Sequence, residues 1–453
     1  MTETPGAPAP PSLLRVLGPI FGLAVVVGGM IGSGIMRAPG LVAEGLPSTP
    51  AILIAWVLGG VASMLTAMPL VEAGASVPLA GGPFPIAERA FGRGVGFFAG
   101  WIGWLSYAAG VAFVAAVFGE YVHRLGMLPG LSSNLLACVL IVALAGVNWT
   151  GTRVSGHSQS IGSALKAAVF LILVGVLFLT PRAPSPAIPA HAVAAVAGLG
   201  GAAMAIRLIY QTYAGWDAAI YFSEEVHRPG EQIARSTFLG IGLVTVIYVL
   251  VNAAVLHVLS PAQIAHSALA VGEAAKVGLG PYADTVITGM GLLSLAAIVN
   301  LMTMVPPRIT FRMARHGSLP TAFGRVAVNG TPRIGLIAAT ALSVILAATG
   351  GYERIVRIYS PWTMGVILIV CLSAIRLRYA EPDLPRPWRM PLFPWLAIFA
   401  CLVQVALLVL VMVDDPKSAA LSVIVAVAPL PLFYGLQRRW RAGAARAFGP
   451  AML

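Results

Sequence analysis

The chain reads as an all-α integral membrane protein with twelve transmembrane helices. Three observations carry that reading: scarce charge, a succession of long apolar segments, and an uneven spread of Lys and Arg between alternate loops. Of 453 residues, 58% are hydrophobic and 10% are charged. The mean hydropathy is +0.89. Soluble domains carry about 25% charged residues, and a soluble chain of this length could not cover its surface with so few. A spanning helix needs about 20 apolar residues, so the length holds roughly a dozen.

The apolar segments run near 14–38, 50–75, 95–123, 131–149, 158–180, 192–224, 236–259, 284–309, 333–350, 356–376, 392–413 and 418–436. Segment one is interrupted by Gly-Gly and Gly-Ser-Gly, and segment six is too long for one simple span. Residues 1–13, rich in Pro and Ala, are expected to form a disordered cytoplasmic tail. No basic stretch followed by a cleavable apolar core marks a signal peptide. Residues 437–453 are expected to form a basic cytoplasmic tail.

Lys and Arg set the orientation. With the N-terminus inside, inner regions hold 19 of the 28 Lys and Arg and outer regions hold 7, while Lys166 and Arg207 fall within spans. Both termini are therefore expected in the cytoplasm. The net charge of +12 is spread over inner loops rather than gathered into one patch. That excludes nucleic acid as a partner.

Two motifs carry function. VVGGMIGSGIMRAPG (26–40) crowds four glycines and a serine between Gly28 and Gly34. Such a run can leave the helical path at little steric cost. Non-helical backbone at membrane depth is tolerated only where it lines a cavity or is buried in protein. The N-terminal end of a half-helix is a ready site for a carboxylate. In QTYAGWDAAIYFSEEVHRPGEQIARS (211–236), Ala214-Gly215 falls midway through the over-long sixth segment. Two interrupted segments at corresponding places in two halves point to a transporter's binding site. Segments one to five (14–180) and six to ten (192–378) then read as inverted repeats, followed by helices eleven and twelve (390–436).

At this point the chain resembles the amino acid–polyamine–organocation superfamily of secondary transporters. GGMIGSGI is similar to its first-helix signature, and WVLGGVASMLTAMPLVEAGASVPLAGGPFPIAERAFG (56–92) to its second helix and re-entrant loop. NWTGTRVSGHSQSIGSALK (148–166) resembles the fifth-helix entry, YAGWDAAIYFSEEVHRPGEQIAR the sixth helix, and the stretch from Asn300 to Pro320 the eighth. LRYAEPDLPRPWRMPLFP (377–394) resembles the loop after helix ten. The Gly-Trp-Asp and Glu-Glu-Val elements look closest to the L-amino acid transporter branch.

The resemblance implies a five-plus-five inverted-repeat (LeuT-like) fold with broken helices one and six. It implies secondary active transport of amino acids by alternating access, as proton-coupled symport or as exchange, in a plasma membrane of prokaryotic inner-membrane type. An amine or polyamine carrier of the same fold is the alternative. By position, the substrate carboxylate would meet backbone at Ile31, Gly32, Ser33 and Gly34, and the amine would meet carbonyls around Tyr213 and Ala214. Gly215, Trp216 and Asp217 would form the side-chain pocket, with helix eight contributing near Asn300 and Thr303. Gln211 stands where relatives often carry an aromatic gate, so Gln211 and Trp216 are the gate candidates.

Lys166 lies about eight residues into segment five, roughly 12 Å deep. A charged Lys near mid-bilayer costs about 2.5–3.5 kcal/mol on insertion scales. Such a lysine can take and release a proton during a cycle. The resemblance places it where sodium-dependent relatives hold a sodium ion, beside the first-helix break. A permanently charged Lys bonded to carbonyls at that break is the other reading, and the two can coexist. Arg207, one turn or so above the sixth-segment break, could attract an anionic group or snorkel.

Glu224 and Glu225 suit gating ion pairs with loop arginines, and Glu72 suits a packing or gate partner. No His/Cys/Asp/Glu spacing suits a metal, no cofactor is implied, and no catalytic cluster suggests an enzyme. The loop 124–131 lacks the cysteine with which animal relatives pair to a heavy subunit, so none is expected. The oligomeric state is left open.

Overall fold

The computed structural model describes residues 13–449 except 33, 47, 185–198, 266, 268 and 351. Ser33, residues 1–12, the start of segment six at 192–198 and residues 450–453 thus lie outside the described residues.

Every apolar segment finds a helix. Segment one divides into α1 (Pro19–Met30) and α2 (Gly34–Gly45), bent by 46° across the Gly-Ser-Gly interruption. Then come α3 (Thr49–Ser76), the short α4 (Pro83–Phe91), α5 (Arg93–Arg124), α6 (Ser133–Trp149) and α7 (Thr152–Leu179). Segment six contributes α8 (Leu199–Thr212) and a 3-10 helix (Trp216–Phe222). Next are α9 (Pro229–Val258), the short α10 (Pro261–Ala265) and α11 (Ala270–Leu279), α12 (Ala283–Arg315) and α13 (Arg333–Thr349). The chain ends with α14 (Tyr352–Ala380), α15 (Trp395–Asp414), α16 (Pro416–Val427) and α17 (Leu430–Phe448). Local chemistry sets several starts. Pro occupies the first turn of α1, α3 and α9, where its missing N–H has no helical partner to lose. Ser132 caps α6 by accepting from the Leu135 N–H at 3.2 Å.

Among the described residues, eight helical stretches are long and apolar enough to cross a membrane, or nine if the bent pair counts as one. α6 and α13 are apolar but have 17 residues each, about 26 Å at 1.5 Å per residue. Two expectations need correction. Segment five begins at Thr152 rather than 158, so Lys166 lies some 21 Å from its start rather than 12. After its break, segment six continues as seven residues of 3-10 helix, not α-helix. Gly215 enters it at φ +107°, a value that glycine adopts readily, and so long a 3-10 run marks strain or a hinge.

The helices pack in two overlapping sets that share α7. α5 lies against α6, α12, α13 and α14, and α12 also packs on α7 and α13. α1 lies against α7, α9 and the 3-10 helix, α2 against α8, and α3 against α9 and α15.

The end of the molecule that holds Leu13 and Phe448 is laced by ion pairs. Glu72 of α3 is buried and accepts from Arg378 at 2.6 and 2.9 Å and from the Met390 N–H at 2.6 Å. It therefore ties α3 to the loop after α14. Exposed Arg89 and Glu381 pair at 2.6 Å, and this bond holds the Glu381 carboxyl below the usual carboxylate range. Glu72→Ala removes a buried carboxylate and strands Arg378. We expect a loss on the order of 3 kcal/mol, seen as a lowered thermal midpoint of the purified protein, with Arg89→Ala changing it little.

Candidate functional site

The two interruptions meet at the middle of the molecule. A Cβ added at Gly29 would lie 2.7 Å from the Gly215 carbonyl oxygen, and one at Gly215 would lie 2.6 Å from that of Gly29. Glycine at both positions is what lets the breaks touch. Each break leaves helix-terminal carbonyls without helical partners, and side chains from neighbouring helices meet them. Lys166 of α7 donates to the carbonyls of Gly28 at 2.8 Å and Ile31 at 2.6 Å. Ser294 of α12 donates to Ile31 at 2.9 Å. Buried Tyr248 of α9 places its hydroxyl 2.7 Å from the Met30 carbonyl and 3.1 Å from that of Thr212. One phenol thus serves the ends of both half-helices, α1 and α8.

Beside the breaks is a cavity of about 490 Å³, within the range of small-molecule sites. Gly29, Met30, Gly32 and Gly34 line it from the first break, and Gln211, Thr212, Ala214, Gly215, Trp216 and Asp217 from the second. Opposite stand Ser106 and Tyr107 of α5, Leu295, Ile298 and Met302 of α12, Tyr359 and Thr363 of α14 and Gln404 of α15. Arg37 and Asp217 are the charged residues lining it among those described. Asp217 accepts from the Tyr107 hydroxyl at 3.0 Å. No basic side chain among the described residues pairs with it.

One side of the cavity is open and the other sealed. Arg37, Leu41 and Gln211 line it and are exposed. Towards the terminal end, Phe21 packs edge-on against Phe222 at 5.1 Å. Fully buried Glu225 pairs with Arg308 through two contacts, one of 2.8 Å to Nη2. Arg308 also lies over the Phe222 ring at 4.6 Å. Glu224 accepts from Arg312 at 3.1 Å and from the Ala80 N–H at 3.1 Å. The expected partners were loop arginines; both come instead from the last turns of α12.

Several site expectations shift. Gly32, Gly34, Ala214, Gly215, Trp216 and Asp217 line the cavity, while Ser33 lies outside the described residues. Ile31 and Tyr213 are fully buried and outside the lining. Ile31 turns its carbonyl to Lys166 and Ser294, and Tyr213 donates to the Trp56 carbonyl at 2.8 Å. Asn300 and Thr303 face away from the cavity. Asn300 bonds Gln159 and Asn148, and Thr303 bonds back to the Val299 carbonyl at 2.7 Å. α12 lines the cavity with the apolar Leu295, Ile298, Leu301 and Met302. Arg207 is half-buried and outside the lining. Gln211 lines the open side, and aromatic walls come from Tyr107, Phe113, Tyr210, Trp216, Tyr221 and Tyr359. Sequence reasoning missed Tyr107, Ser294, Tyr248 and Gln404. Their one signal is a polar side chain inside an apolar segment.

A bent first helix, an apposed second break and a cavity beside both describe a multi-pass helical membrane protein with room for a small solute. The comparisons agree. The family model described as amino acid permease matches residues 19–433, and the chain belongs to that family. It is 27% identical to the serine/threonine exchanger of Bacillus subtilis, over 94% of this chain and 98% of the relative. It is 27% identical to the large neutral amino acids transporter small subunit 2 of Rattus norvegicus, over 93% of this chain and 81% of the relative. It is 26% identical to the Asc-type amino acid transporter 1 of Mus musculus, over 93% and 81%.

Gly215→Val should not be tolerated. It places a β-branched side chain at φ +107° against the Gly29 backbone, where such residues are genuine outliers. The expected outcome is loss of monodisperse protein on size exclusion, whereas Gly175→Ala, where an added Cβ meets nothing within 4 Å, should purify normally.

Proposed function

We propose that the chain is a secondary active transporter of amino acids, working by alternating access as a proton-coupled symporter or an exchanger. The observation that carries this reading is the apposition of the two helix breaks beside one cavity. The start of α2 offers free N–H groups and a positive dipole end to a carboxylate. A carbonyl oxygen has two lone pairs, so the ends of α1 and α8 would accept from an amine in addition to the side chains that already meet them. Together they suit the invariant part of an α-amino acid and leave its side chain to the wall of Ser106, Tyr107, Tyr359 and Thr363. The exchanger and transporter names of the relatives support the same substrate class.

Twelve spans in a five-plus-five inverted repeat, with both termini in the cytoplasm, fit the helix order and the Lys and Arg asymmetry. In that orientation the cavity opens outward, and the pairs of Glu225 with Arg308 and Glu224 with Arg312 close the cytoplasmic side. Opening inward requires breaking them.

Lys166 is the proton-coupling residue of this scheme. Its ammonium holds the Gly28 and Ile31 carbonyls together, and a proton change there alters the strength of that grip. Lys166→Ala protein in liposomes should lose the response of uptake to an imposed pH gradient. Uptake with the parental pH dependence would remove Lys166 from the coupling.

A second reading, an amine or polyamine carrier, is favoured by Asp217, the one carboxylate lining the cavity among the described residues. Asp217→Asn separates the two. A polyamine carrier should lose binding by about ten- to a hundredfold, since a charge-assisted contact of about 1.5–3 kcal/mol is lost. A neutral amino acid carrier should change far less. A thermal-shift screen against amino acids and amines, followed by counterflow in liposomes, tests the class itself; a screen in which no α-amino acid stabilises or is transported overturns it.

A further inference from the structure

A file of four side chains runs from α6 through α12 and α7 to the backbone of α1. The Asn148 amide donates to the Leu144 carbonyl at 2.8 Å and to the Asn300 Oδ1 at 3.1 Å. Asn300 donates to the Gln159 Oε1 at 3.0 Å. Gln159 donates to the Ser163 Oγ at 3.2 Å. Ser163 donates to the Ala24 carbonyl at 2.7 Å. All four are buried, with exposures between 0% and 5%.

The direction of the file is fixed from both ends. A backbone carbonyl can only accept. The contact with Leu144 therefore obliges the Asn148 NH₂ to face that way, and the contact with Ala24 obliges the Ser163 hydroxyl to donate. Each amide between then has one orientation that satisfies both neighbours. The chain is continuous, all donors pointing toward α1, and such chains strengthen cooperatively. Amide groups do not pass protons along as water or hydroxyls do, so the file is suited to holding rather than to conducting.

What it holds is the half of helix one below the break. Gly28 is the position that admits it. A Cβ there would collide with both the Ser163 Oγ and the Gln159 Nε2. The file reaches α1 at Ala24, one turn from the Gly28 carbonyl that Lys166 engages.

We propose that Asn300, Gln159 and Ser163 are positioning residues that clasp α1 against α7 and α12 in the outward-open state, and that release of this clasp belongs to the inward-opening step. The proposal rests on the transport reading above. It assigns Asn300 a role at a distance from substrate, acting through Gln159 and Ser163. When α1 swings away, the Ser163 contact with Ala24 is the junction that must part, because the other links lie within α6, α7 and α12.

The test measures α1 directly. Spin labels at Arg15→Cys and Arg153→Cys, both exposed, report the separation of the start of α1 from the start of α7. The background replaces Cys138, Cys371 and Cys401 by Ala, and the full chain is reconstituted without substrate. Asn300→Ala and Gln159→Ala should enlarge the longer-distance population, to about two-thirds of molecules. Apparent affinity from the Arg37 side should then fall about threefold, because only the outward-open fraction binds there. The pH profile of uptake should keep its parental shape, unlike that of Lys166→Ala. Ser163→Thr, which keeps the hydroxyl, should retain the parental distances, whereas Ser163→Ala should shift them. That milder pair decides the matter if the amide variants do not purify. Unchanged distances in the alanine variants, or a pH profile displaced as in Lys166→Ala, overturn the proposal. Because the distances are read without substrate, they stand or fall independently of which solute is carried.

Discussion

A helix that stops inside a membrane leaves backbone groups that lipid cannot satisfy. That constraint organises this molecule. The carbonyls of Gly28, Met30, Ile31 and Thr212 all lie at or beside breaks, and each is met by a side chain from another helix: Lys166, Tyr248 and Ser294. Those donors come from α7, α9 and α12, so the breaks can exist only where these helices converge. The cavity is a consequence. Satisfied carbonyls form a stable wall, and α2 begins beside the open space, with Gly34 lining the cavity.

Glycine provides the closeness on which this depends, and it does so unevenly. Gly29 and Gly215 let the two breaks touch, whereas Gly28 lets the α7 side chains reach α1. Adjacent glycines in one motif therefore serve different faces of the helix, Gly29 toward the second break and the cavity and Gly28 toward α7. Treating GGMIGSG as a single flexible run hides that division. Its first glycine is still helical and works by absence of a side chain, while the backbone leaves the helix at Ile31 and Gly32.

Much of the fold was legible because lipid imposes a simple code. Long apolar segments, counted by length, located the long helices, while the short α4, α10 and α11 fall between those segments. The breaks were legible because Gly-Ser-Gly and Ala-Gly stand out against such segments. Asn300 and Thr303 were misplaced because a polar residue on a spanning helix can face either a cavity or a partner helix, and spacing along the chain does not tell which. Only the contacts of α12 with α6 and α7 show that Asn300 is spent on Gln159 and Asn148. The 3-10 form of Trp216–Phe222 was equally hidden, since it arises from how Gly215 enters at positive φ. Tyr107, from α5, was missed because its role depends on Asp217, 110 residues away along the chain.

Charge is distributed unevenly about the cavity. Beneath the cavity, carboxylate and guanidinium are paired and buried, as in Glu225 with Arg308. Within it, Asp217 and Arg37 have no partner of opposite sign among the described residues. A buried pair is self-sufficient, and parting it exposes both charges to an environment that solvates them poorly. An unpaired charge beside a cavity instead gains from whatever enters with the complementary group. The sealed side therefore resists opening until something stabilises the separated state. Trp216, which lines the cavity, and Phe222, on which Arg308 rests, belong to the same 3-10 helix, so on the transport reading proposed above a solute that meets Trp216 would act on the sealed side through one short element.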